Sequence, residues 1–186
     1  MNINFLQKIF SHVLLSIFFV SNTFAADNIY EADKNKSTIT YQIAHPLHHI
    51  EATSKDFRCT IEIDATNNIT KAIVNVDVST FDSGNSSRDS HAMEVINSID
   101  YPEVDFGSDT IITKGNDLYA KGKLTFHGIT KKIEISAEKN QKDNALVLRG
   151  NFHLSLTDFK IERPALLMIP VEDTLRMSFE TIFNLK

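Results

Sequence analysis

The chain has 186 residues, with 19 basic against 24 acidic side chains and a formal net charge of −5. An acidic body offers no long-range attraction to phosphate backbones, which excludes a nucleic-acid partner and leaves any anionic group to a local Lys or Arg cluster. Cys59 is the only cysteine, so no internal disulfide forms and the fold rests on its hydrophobic core.

Lys8 precedes an apolar run from Ile9 to Val20, and Thr23-Phe24-Ala25 then supplies the small residues at which a signal peptidase cuts. The run is too short for the ~30 Å of a bilayer's hydrocarbon, and polar residues follow it directly. The expectation is a cleaved signal peptide over 1–25 and a periplasmic mature domain over 26–186. No stable membrane insertion of that domain is expected.

Period-two alternation dominates the rest, the mark of strands with one buried face. Ile39, Tyr41 and Ile43 alternate with Thr38, Thr40 and Gln42. The odd positions of Phe57 to Ile63 are apolar, which reads Cys59 as a buried small hydrophobe. Val74, Val76 and Val78 follow the same rule. Ser86 to Asn97 breaks it, and with Asn85 or Ser86 as a cap it reads as a short helix or irregular connection.

Alternation resumes with Leu118, Ala120, Gly122, Leu124 and Phe126, and His127-Gly128 then reads as a tight hairpin. Ile133, Ile135 and Ala137 face one way on the next run, and Leu146, Leu148, Gly150, Phe152, Leu154 and Leu156 on the one after. Val171, Leu175, Met177, Phe179 and Phe183 form the apolar face of the last strand. Strands with one apolar face need a second sheet or closure on themselves. An all-β antiparallel closed barrel of about eight strands satisfies the pattern without exposed edges, and a two-sheet sandwich is the alternative.

Several stretches together resemble the YceI-like family of secreted, lipocalin-type proteins. These are Asp77-Val78-Ser79-Thr80-Phe81-Asp82 with Arg88-Asp89-Ser90-His91, then Tyr101-Pro102-Glu103-Val104-Asp105-Phe106, then Gly122-Lys123-Leu124-Thr125-Phe126-His127-Gly128-Ile129-Thr130-Lys131. The likeness runs from about Tyr30 to the C-terminus. It implies a barrel whose interior holds a polyisoprenoid or another long-chain amphiphilic lipid. Two stretches depart from the family pattern, Ser54-Lys55-Asp56-Phe57 and Ser155 to Lys160, and the segment Ile161 to Pro170 is apolar for a loop.

The candidate ligand-binding residues are the inward positions Ala120, Gly122, Leu124, Phe126, Ile133, Ile135, Gly150 and Phe152. Small inward side chains leave room for a ligand, and inward glycines suggest a close approach by it or a bend in the wall. For a charged head group the candidate is Lys131, placed opposite Leu124 if Phe126 pairs with Ile129. Arg88 and His91 join it through the family motif. The alternative of another class is a metal site in His45-Pro46-Leu47-His48-His49, which lacks a carboxylate or thiolate partner at ligand spacing. The cluster of Ser79, Ser83, Ser86, Ser87 and Ser90 near Arg88, Asp89 and His91 has no nucleophile elbow, and no dinucleotide fingerprint occurs. The expectation is therefore a binding protein, not an enzyme, with no cofactor and no bound metal.

Overall fold

The computed structural model describes residues 28–185, so the expected signal peptide lies outside the described residues. The strands are β1 (Asn28–Glu31), β2 (Thr38–His45), β3 (His48–Ser54), β4 (Phe57–Ile63), β5 (Ile69–Asp77), β6 (Glu103–Lys114), β7 (Asp117–Phe126), β8 (Ile129–Lys142), β9 (Ala145–Ser155), β10 (Ala165–Leu166), β11 (Ile169–Pro170) and β12 (Thr174–Asn184). One helix, α1 (Ser86–Val95), links β5 to β6.

Ten strands form one antiparallel sheet in the order β1-β4-β5-β6-β7-β8-β9-β12-β2-β3, while β10 and β11 pair only with each other. The all-β, antiparallel reading holds, with the helix inside the segment that breaks the alternation. The expected closed eight-strand barrel does not. The sheet is a curled half-barrel whose ladder ends at β1 and β3. Closure would require the two edge strands β1 and β3 to pair along their length. β1 pairs instead with β4, with Tyr30 opposite Ile61. The free edge of β3 receives a single bridge, Thr53 to Asp82, and the chain after β1 reaches back to β12 through Ala32 and Phe183.

The inward faces are those the alternation marks. Along β4 every second residue from Phe57 to Ile63 is buried, and along β7 Leu118, Gly122, Leu124 and Phe126 are buried. The turn between β7 and β8 has His127 at φ 49° and Gly128 at φ 70°, the two left-handed positions of a type I′ hairpin. It sets Phe126 opposite Ile129 and Leu124 opposite Lys131.

The two ends of the half-barrel differ. At one end Ile61, Leu146 and Phe183 are fully buried, and Ser37 among them is satisfied by the amide of Ile182, which donates to its Oγ at 3.0 Å. At the other end lie α1, the β7–β8 turn and the long connection from Leu156 to Glu172. The helix starts at Asn85, whose side chain accepts from the amide of Arg88, and stops near Asn97 at φ 47°. None of its residues is fully buried, so it is held by its caps and one face more than by packing.

Candidate functional site

Inside the sheet, between α1 and the packed end, lies a cavity of about 270 Å³. Its wall is built from inward positions of β2 to β9 and β12, while Arg88, His91, Ala92, Met93, Val95 and Ile96 of the α1 segment cover one end. Ile161, Pro164 and Val171 of the connection before β12 contribute to the same end. Apart from methionine sulfur, the polar side chains among its lining residues are Tyr41, Cys59, Arg88, His91 and Thr181.

The chemistry of those few groups is restrained. Burial pushes the Cys59 thiol up to about 12, so it stays a protonated, unreactive thiol. Burial, and then the charge of Asp89, raises the Tyr41 hydroxyl above its ordinary value and keeps it a neutral donor. The Tyr41 ring leans against Phe81 with centroids 5.3 Å apart. Asp89 accepts from Ser83 Oγ at 2.5 Å, which ties the first turn of α1 to the chain entering it. Ser83 thus serves the helix start.

The expected site residues divide. Ala120, Leu124, Phe126, Ile135, Phe152, Arg88 and His91 line the cavity. Gly122, Gly150, Lys131 and Ile133 do not. A Cβ on Gly122 would strike the Gly107 carbonyl oxygen and sit 2.8 Å from Ser108 Cα, because β6 carries a bulge between Ser108 and Thr110 there and bends across β7. A Cβ on Gly150 would strike the Ser136 carbonyl and the Phe179 ring. What approaches these glycines is the neighbouring strand, so they mark bends in the wall. Lys131 turns to Asp158, with Nζ 2.9 Å from Oδ1, and lies 5.9 Å from the centre of the Phe159 ring. It fastens the Leu156–Glu172 connection to β8. Ile133 sits opposite Gly122 and packs against the core.

The histidine side chains that the structure describes, which leave out His48, do not gather. His45 is buried and its Nε2 lies 2.9 Å from the Ile169 carbonyl oxygen, while His49 is exposed on β3. His127 is spent on the Phe159 carbonyl, with Nδ1 at 2.9 Å. Among the described residues no group of three or more His, Cys, Asp and Glu is placed to hold a metal ion. No helix among them is long and apolar enough to cross a membrane.

Sequence reasoning missed Phe57, Val104 and Phe106, and the α1 residues Ala92, Met93 and Ile96, all of which line the cavity. Phe57 was legible in the alternation of β4. Phe106 was hidden, because Gly107 and Ser108 interrupt the pattern at the bulge. The helix residues carry no usable periodicity, since α1 covers the cavity with a face of mixed character.

The family model for the YceI-like domain matches residues 30–183, nearly all of the described fold. The chain belongs to the YceI-like family. Its YceI-like relatives include a UPF0312 protein of Vibrio cholerae, 32% identical over 130 residues that span 67% of this chain and 68% of the relative. The YceI protein of Escherichia coli is 29% identical over 135 residues, covering 67% of this chain and 71% of its own length. The YceI-like fold is also that of Burkholderia cenocepacia BcnA, with a TM-score of 0.73 at 20% identity, covering 81% of this chain and 98% of that one. A polyisoprenoid-binding domain from Saccharophagus degradans superposes with a TM-score of 0.65 at 10% identity, covering 84% and 98%.

Proposed function

We propose that the protein is exported and holds one long-chain amphiphilic lipid, of isoprenoid type, in this cavity for transport or storage. The observation that carries the reading is the lining: about 270 Å³ of space bounded almost wholly by aliphatic and aromatic side chains. An apolar cavity of that kind stays dry and takes apolar guests. Its size lies near the lower bound of the ~300–1,000 Å³ usual for small-molecule sites. Each methylene moved from water into it contributes about 0.8 kcal/mol before ordering costs, so a prenyl tail needs little polar help. Membership of the YceI-like family and the fold shared with a polyisoprenoid-binding domain support the same ligand class. Arg88 and His91 of α1 supply a positive charge and an imidazole, and Tyr41 of β2 a hydroxyl, for the polar end of the ligand, while Ala120, Leu124, Phe126, Ile135 and Phe152 hold its tail.

The test uses protein purified gently from the periplasmic fraction. Its intact mass is expected to begin at Ala26, and mass spectrometry of an organic extract is expected to find about one long-chain lipid per chain. Ala120→Phe places a ring in the space of the tail, so lipid recovered per chain falls several-fold while the denaturation midpoint of the delipidated protein stays within about 1 kcal/mol of wild type. An extract without lipid, or unchanged loading in Ala120→Phe, defeats the reading.

A further inference from the structure

The connection before β12 contains a feature that the cavity does not require. Leu166 pairs with Ile169, so β10 and β11 enclose a two-residue turn made of Leu167 and Met168. Both turn residues are left-handed, at φ 52° and 68°. That type I′ geometry ordinarily selects Asn-Gly, because a Cβ crowds the carbonyl in the left-handed region. Here two bulky apolar residues occupy it and recover nothing by burial: Leu167 is 76% exposed and Met168 95%. Residues held against both steric preference and solvent preference point to a use outside the folded chain.

The hairpin is fixed at its root. Arg163 donates from Nε and Nη2 to the Val171 carbonyl oxygen at 2.8 and 2.6 Å, and the Val171 amide donates to the Pro164 carbonyl at 2.9 Å. Buried His45 meets the Ile169 carbonyl, and exposed Leu47 lies in the adjoining β2–β3 turn, where its amide donates to His45 Nδ1. Pro164 and Val171, which flank the hairpin, line the cavity. The tip therefore projects from the cavity's own rim. Beyond α1 at the same end, Ile99 is 92% exposed.

We propose that this hairpin is a membrane wedge: Leu167 and Met168 insert into the headgroup–acyl boundary of a bilayer and hold the α1 end of the cavity against it. That the cavity exchanges an apolar ligand with that surface rests on the lipid-binding reading above; the docking itself is measured separately. A bilayer fits the shape better than a protein does. A stable protein interface needs roughly 800 Å² from each partner with a packed centre, whereas a two-residue tip is a prong that a rigid partner could accept only in a matching pocket. A fluid interface needs none. The net charge of −5 gives no attraction to anionic lipid, so insertion is driven by apolar surface and does not depend on low salt.

The experiment sediments the delipidated chain with phosphatidylcholine vesicles at low and high sodium chloride. Wild type is expected to bind equally in both. Leu167→Asn combined with Met168→Gly installs the sequence that the turn prefers, so its denaturation midpoint is expected to equal or exceed wild type while vesicle binding falls about tenfold or more. Ile29→Ser, which removes an exposed isoleucine on β1 at the opposite end, is expected to bind as wild type does. The proposal is overturned if wild type ignores the vesicles, if the double variant binds undiminished, or if its binding falls only in step with a lowered midpoint. A wild-type dimer that the double variant abolishes would assign the tip to a second copy instead, and also overturns it. Lipid recovered from purified protein is read apart: an empty chain that still binds vesicles defeats the lipid-binding reading and keeps the wedge, and a filled chain that ignores them does the reverse.

Discussion

The two ends of the half-barrel are made of the same kinds of residue and put to different uses. At the β8–β9 turn end, Phe183 is 0% exposed and meets Leu146 across β9 and Ala32 after β1, with Ile61 buried on β4. At the α1 end, Val95, Ile96 and Met93 are half-buried over a cavity, and the connection from Leu156 to Glu172 is fastened by ion pairs and side-chain hydrogen bonds. Equal hydrophobicity therefore does not mean equal packing. Native stability is spread unevenly along such a chain, and ligand-admitting elements come from its weaker end.

The largest expected effect sharpens that contrast. Phe183→Ala opens a cavity in the packed end, and should lower unfolding free energy by about 3–5 kcal/mol. Met93→Ala removes a side chain of α1 that already borders empty space, and should cost no more than about 1 kcal/mol. Urea denaturation of both delipidated variants is the measurement. Equal losses would mean that α1 is as much a part of the core as β12.

A middle-sized effect comes from Gly122→Ala. The added methyl group meets backbone of β6, which cannot rotate away as a side chain would, so the two strands must separate at the bulge. The expected cost is about 1–3 kcal/mol, with lipid recovered per folded chain unchanged because Gly122 is not part of the lining. A stable Gly122→Ala chain that had lost its lipid would return this glycine to the ligand site.

Legibility in the sequence followed the same division. Strands that bury one face and pair without interruption announced themselves, as β7, β8 and β9 did, including the Leu124–Lys131 register set by the His127-Gly128 turn. The family was legible in Asp77 to Lys132, where its motifs lie. Edge behaviour was not. Nothing in the alternation says that β1 takes the edge of β4, because a four-residue strand such as Asn28–Glu31 carries too little period to read. The inward glycines were correctly placed on the buried face, but a sequence cannot say whether the thing that approaches a glycine is a ligand or the next strand. Lys131 was placed in the right register, and its partner Asp158 was invisible because all of β9 intervenes before the connection folds back. The apolar character of Ile161 to Pro170 was visible, whereas its hairpin was not, since Leu-Met is no turn signal.

The smallest expected effect concerns how the connection is clasped, and it depends on pH. Asp173 closes the loop that starts at Ser155: its carboxylate accepts from Ser155 Oγ at 2.6 Å, from the Thr157 amide at 2.9 Å and from Thr157 Oγ1 at 3.2 Å. The Ser155 hydroxyl above all, and then the Thr157 amide, hold this carboxyl below its ordinary value. A carboxyl depressed in the folded state contributes its stabilisation fully above its unfolded value of about 4 and loses it as pH falls through the lower, folded value. The clasp is thus complete at neutral pH and opens in acid. Because the group lies at the surface, its release should leave the global midpoint nearly unchanged and instead loosen the segment locally. Hydrogen exchange, corrected for the intrinsic acid dependence, should show the amides of Phe159, Lys160 and Ile161 losing protection below about pH 4 while those of β12 near Phe183 keep theirs. Asp173→Asn, which cannot titrate, should show weaker protection at neutral pH and no further loss in acid. A variant that retained the acid dependence of wild type would show that Asp173 is not what clasps the segment, and would leave the Lys131–Asp158 bond to β8 as its remaining fastening.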